Sequence, residues 1–122
     1  MTKNRVLDGP RMSELRKLGL DTSDASAYVY SGSAGSGYDL RWKKGNGKLN
    51  PGSYLVYTLE DILLKLPTQI KYQGYDFDLV IGSGYLMYFD WDQGRTLVEI
   101  RSTQLIDAGY EMLKWCLINK HL

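Results

Sequence analysis

Between Tyr75 and Ile100 the chain alternates between apolar and polar residues with a period of two. Tyr75, Phe77, Leu79 and Ile81 fall on one side of the first run, and Asp76, Asp78 and Val80 on the other. Gly82-Ser83-Gly84 and Asp92-Gln93-Gly94 are turn-forming interruptions. With Gly82–Gly84 taken as the turn, Tyr85, Met87, Phe89 and Trp91 form the apolar side of the second run, opposite Leu86, Tyr88 and Asp90. Thr96, Val98 and Ile100 form the buried side of a third run, opposite Leu97, Glu99 and Arg101. Three such runs joined by short turns predict an antiparallel meander with one covered face. From about Thr103 to Lys120 the period changes to that of a helix. Leu105, Ala108, Gly109, Met112, Leu113, Cys116 and Leu117 form a stripe that would lie across the meander, with Ser102 or Thr103 as the cap.

The first half is less regular. Gly9-Pro10 precedes a short helix from about Arg11 to Leu18, with Met12, Leu15 and Leu18 on one face, Gly19 at C′ and Leu20 just beyond. Residues 1–10 read as a flexible arm, leaving 11–122 as one domain. Ala27–Tyr30 and Tyr38–Lys43 are strand-like and would pair as a hairpin across the Gly/Ser loop of residues 31–37. Lys44–Gly52 is a second loop, and Ser53–Tyr57 is extended chain or a short strand. Thr58 and Asp61 have the spacing of a capping box for a helix over 59–66, in which Leu59, Ile62, Leu63 and Leu66 share a face and which Pro67 ends. The expected fold class is α+β: a meander packed against a long C-terminal helix, with two short additional helices and an N-terminal hairpin. The sheet would have three strands, or up to five if the earlier segments join it.

Composition bounds the function. The 122 residues are 43% hydrophobic and 24% charged, as in an ordinary globular domain. A formal net charge of +1 argues against a strongly basic nucleic-acid binder. The charge is segregated, +4 over residues 1–57 and −3 over residues 58–122. The 10 tyrosines suit sheet faces and interfaces, being apolar at one end and hydrogen-bonding at the other. Cys116 is the one cysteine and lies in the apolar stripe, where it is expected to be buried. With no signal-peptide pattern and no long apolar run, the expected location is cytoplasmic.

Candidate chemistry is sparse. Asp76, Asp78, Asp90 and Glu99 fall on the side opposite the expected core, and Asp92 continues their parity. Carboxylates so arranged would hold Mg²⁺ or Mn²⁺ in a metal-dependent hydrolase, or would attract a basic protein partner. The solvent side of any such sheet must also be polar. Trp42, Lys43, Lys44 and Lys48 make a small aromatic and basic group that could stack bases and pair phosphates. His121, the single histidine, is next to last and expected to be exposed and frayed. The Gly-rich loop has neither the phosphate-binding lysine nor the G-x-G-x-x-G spacing. The αβββα order matches double-stranded RNA binders, but the last helix lacks a basic start. No catalytic residue, metal ligand or cofactor is assigned, and no specific small molecule or membrane partner is expected.

The segments LGLDTSDAS, PGSYLVYTLEDILLKLP and DAGYEMLKWCLINKHL resemble a group of small uncharacterised proteins encoded by gut Bacteroidetes genomes and their phages or prophages. The resemblance runs from Met12 onward and is most specific in the closing segment. It implies a phage or mobile-element accessory protein inside a bacterial cell and carries no functional residue with it. With the missing chemistry and the segregated charge, it leads to the expectation of a non-enzymatic protein-interaction module.

Overall fold

The structure, a computed structural model, describes residues 6–31, 38–43 and 53–122. It is α+β and divides into two compact units, Met1–Asp61 and Ile62–Leu122.

The first unit contains α1 (Gly9–Lys17), β1 (Ala27–Ser31), β2 (Tyr38–Trp42) and β3 (Ser53–Val56). It also holds the start of α2 (Leu59–Lys65), whose remaining residues belong to the second unit. Asp8 caps α1, its Oδ1 accepting from the Arg11 N–H at 3.0 Å. Pro10 fits the first turn, where its missing N–H leaves nothing unsatisfied. At the other end Gly19 takes φ +98°. Leu20 N–H donates to the Leu15 carbonyl and Gly19 N–H to the Arg16 carbonyl, a Schellman motif as its Gly-Leu pair anticipates. Residues 1–5 of the expected arm lie outside the described residues. Residues 6–10 do not trail: Val6 bridges Thr58, Leu7 is fully buried and α1 begins at Gly9. The three strands pair antiparallel in the order β2-β1-β3, so the hairpin gains a third strand. The expected loops fall at 32–37 and 44–52, outside the described residues.

The capping box at α2 forms as its spacing implies. Thr58 Oγ1 accepts from the Asp61 N–H at 3.1 Å, and Asp61 Oδ2 accepts from the Thr58 N–H at 3.0 Å. The same Oδ2 also accepts from the Ser26 N–H at 3.0 Å and hydroxyl at 2.8 Å, tying the start of β1 to the start of α2. Tyr57, fully buried, donates its hydroxyl toward Asp24 Oδ1 at 2.8 Å, with the Asp21 carbonyl 3.1 Å away. Burial, followed by the Asp24 contact, holds this phenol neutral far above its ordinary titration range.

The second unit contains β4 (Gln69–Tyr72), β5 (Tyr75–Gly82), β6 (Tyr85–Asp90), β7 (Arg95–Arg101) and α3 (Leu105–Ile118). The strands form an antiparallel meander in the order β4-β5-β6-β7, with α3 packed on β6 and β7. In place of one sheet of three to five strands, the described residues therefore hold two sheets, of three and four strands. β4 was not foreseen as a separate strand. Its hairpin to β5 turns on Gln73 (φ 53°) and Gly74 (φ 83°), both left-handed, the type I′ geometry that matches strand twist.

The register corrects the expected core face on β6. Gly82 opposes Tyr85, so the connection is the two-residue Ser83-Gly84 and not Gly82–Gly84. Directly opposed residues share a face. Leu79 therefore sits beside Tyr88 and Ile81 beside Leu86. Leu86 and Tyr88 are fully buried, while Met87 and Phe89 lie on the outer face. A bulge then places Tyr88 opposite Val98 but Phe89 opposite Thr96, which moves Thr96 from its expected buried side to the outer face. Ile70, Phe77, Leu86 and Tyr88 are buried on the covered face, and α3, packed on β6 and β7, buries Ile106, Ala108, Met112, Leu113 and Cys116. Tyr88 donates its hydroxyl to the Pro67 carbonyl at 2.8 Å, and burial holds that phenol neutral well above its usual range. Burial also pushes the neighbouring Cys116 thiol up to about 11. No helix among the described residues is long and apolar enough to cross a membrane.

Candidate functional site

Each acidic residue singled out above has a definite place. Asp76 opposes Lys71 across β4 and β5. Asp78 opposes Gln69, whose Nε2 donates to Asp78 Oδ1 at 2.9 Å. Glu99 forms an ion pair with Arg101 at 2.9 Å. Asp92 is exposed in the β6–β7 turn. Asp90 does not belong with them. The inverted parity of β6 puts it on the covered face, 3% exposed, where its Oδ1 accepts from the Asp92 and Gln93 N–H groups at 2.9 and 3.3 Å. Its Oδ2 is buried without a partner. Among the described residues, no group of three or more His, Cys, Asp or Glu side chains is placed to hold a metal ion.

Asp76, Asp78 and Glu99 instead border an apolar stripe on the outer face of the meander. Val80 opposes Met87, and Phe89 lies between Asp78 and Thr96. The Phe89 and Trp91 rings meet edge to face at 4.8 Å, and Trp91 is 65% exposed. Tyr85 covers Gly82, where an added Cβ would run into its ring, and the Arg101 guanidinium lies 5.4 Å from that ring's centre. Asp76, Asp78, Asp92 and Glu99 outnumber Lys71 and Arg101 on this face and its adjoining turn, so the stripe has a net negative border. These aromatic residues fall on the expected core face when Gly82–Gly84 is read as the turn, and on the outer face once Gly82 pairs with Tyr85.

Of the aromatic and basic group, Trp42 and Lys43 are among the described residues. Trp42 is exposed at the end of β2. Lys43 turns onto its own unit, its N–H donating to the Ser26 carbonyl at 2.8 Å and its Nζ to the Ser23 carbonyl at 3.2 Å. Lys44 and Lys48 lie outside the described residues. His121, expected to be frayed, is held. Its ring stacks on Trp115 at 5.2 Å and meets Tyr72 edge to face at 6.1 Å. The helix C-terminus fixes this position, with His121 N–H donating to the Cys116 carbonyl and Lys120 in a left-handed conformation at φ 59°.

A second feature was invisible in the sequence, because it depends on strand order. β3 lies at one edge of its sheet. The Ser26 carbonyl, just ahead of β1, accepts from Lys43 beyond β2. Main-chain groups alternate sides along a strand, so Ala27 and Val29 turn toward β3, and their opposites Val56 and Tyr54 turn back. Ser53, Leu55 and Tyr57 then direct their main-chain groups outward. The Leu7 N–H donating to the Tyr57 carbonyl at 2.9 Å is in keeping with this. Beyond Leu7 the chain enters α1, and no described residue bonds the outward groups of Ser53 or Leu55. They border an open cleft of about 580 Å³, whose other wall includes Arg16, Leu20, Thr22 and Ser23. The Ser53 hydroxyl oxygen is itself buried without a partner among the described residues, a state that costs about 1–3 kcal/mol.

Comparison with known proteins finds no matching family model, no matching curated protein and no matching solved structure.

Proposed function

We propose that this chain is a non-enzymatic protein-interaction module, acting inside a bacterial cell as an accessory factor of a phage or mobile element. The observation that carries the reading is the Phe89–Trp91 pair on the outer face of the meander, with Trp91 left 65% exposed. Aromatic anchors in a well-packed patch supply most of the affinity at protein interfaces. Here Met87, Phe89 and Trp91 would be the anchors. The negative border selects a partner whose apolar patch is ringed by Lys and Arg, and steers its approach. The intracellular setting and the accessory role rest on the resemblance to phage and prophage proteins.

The test is co-purification of the tagged chain from a gut Bacteroidetes host, beside a folded Trp91→Ala variant. The expected result is a partner recovered in fixed proportion by the native chain, released by added salt and bound at least tenfold more weakly by the variant, a loss of about 1.4 kcal/mol or more. A chain recovered alone, or a partner held equally by both proteins, overturns the reading.

A further inference from the structure

We infer that the cleft beside β3 receives an extended peptide segment of a partner protein, which adds as a strand antiparallel to β3. The inference rests on the reading of this chain as a protein-interaction module and gives it a second, separate contact.

Three features converge on an extended main chain as the occupant. The outward main-chain groups of Ser53 and Leu55 have no described partner, and two residues further on Tyr57 makes the bond that an added strand makes, to Leu7. Val6 and Leu7 run antiparallel to β3's continuation, which sets the line and direction for a strand placed end to end with them. The line is vacated where the chain turns into α1 at Gly9. The cleft lies along the vacated stretch and is bordered by the same Ser53 and Leu55. A strand edge of this kind gives affinity through main-chain bonds, while pockets for alternate side chains give selectivity.

The walls define what those side chains are. Leu20 and Leu55 offer an apolar contact. Arg16, whose Nη1 reaches Thr22 Oγ1 at 3.5 Å, shares the lining with Asp21, so the cleft carries one charge of each sign. The expected ligand is therefore an extended segment with an apolar side chain directed at Leu20 and Leu55.

The experiment uses the full chain and random heptapeptides displayed on phage, followed by synthesis of the selected peptides. Each peptide is resynthesised with single N-methyl groups, which remove one main-chain donor at a time and leave the protein unaltered. The expected result is an alternating pattern. N-methylation weakens binding about tenfold or more at every second residue and little at the residues between, as the loss of a main-chain bond implies. The Ser53 and Leu55 amide resonances shift on binding. No selected peptide, a flat N-methyl scan, or unshifted Ser53 and Leu55 amides overturns the inference. Peptides whose binding is lost in Trp91→Ala, with the β3 amides unmoved, would overturn this inference while leaving the outer-face reading intact.

Discussion

Three buried side chains, Tyr57, Tyr88 and Cys116, share one property: each keeps its proton because the folded chain excludes water from it. The thiol has the clearest consequence. With its titration pushed up to about 11, Cys116 holds almost no thiolate near neutrality, and thiolate is the reactive form. At pH 8 it should react with a disulfide reagent only after denaturant is added; fast labelling of the native chain would show that this side of α3 is not buried. The two phenols fix the sign of the pH dependence. Their titration is raised in the folded state, so their contribution is fully present below the unfolded value near 10 and is lost as pH rises above it. Stability in denaturant titrations should therefore fall above pH 10 by about 1.4 kcal/mol per pH unit for each phenol. Tyr57→Phe and Tyr88→Phe should each remove one such increment; a stability unchanged between pH 10 and 11 contradicts this. At Lys120 the left-handed backbone favours glycine, and Lys120→Gly should raise stability by up to about 1 kcal/mol unless the His121–Trp115 stack is lost with it.

At the scale of elements, β6 decides which surface the protein presents. Its inner residues are Leu86 and Tyr88 and its outer residues Met87 and Phe89. Leu86→Ala should cost about 2–5 kcal/mol in chemical denaturation, as core truncations do, and Met87→Ala clearly less. The opposite ranking would put the other face under α3. Two helix ends were legible in the sequence because caps are local chemistry: Thr58 with Asp61, and Gly19 with Leu20, carry their signals within a few residues, whereas the cap expected at Ser102 or Thr103 falls on Gln104, which makes no side-chain capping bond. The alternation on β5 was legible too. What failed was counting across a turn. Gly82-Ser83-Gly84 reads as a three-residue connection, but the chain uses two, and one residue of slip exchanges every side chain on the next strand. The bulge between β6 and β7 adds a second slip that no composition announces. Strand order is long-range in the same way, so the edge position of β3 and its cleft left no trace in the local pattern.

At the scale of the whole molecule, two units each carry a surface suited to protein contact: an apolar stripe with a negative border on the meander and an open strand edge beside β3. The carboxylates that suggested metal chemistry are spread among Lys71, Gln69 and Arg101 or, for Asp90, turned inward to hold a turn. The face they border gains its character from Phe89 and Trp91, and that depends on which side of β6 meets α3. Nuclear Overhauser spectroscopy of the labelled chain decides this. Cross-peaks from the Tyr88 ring to the Cys116 side chain, with none from Phe89 to α3, are the expected result. Cross-peaks from Phe89 to α3 with Tyr88 silent would reverse the strand and remove the proposed contact face.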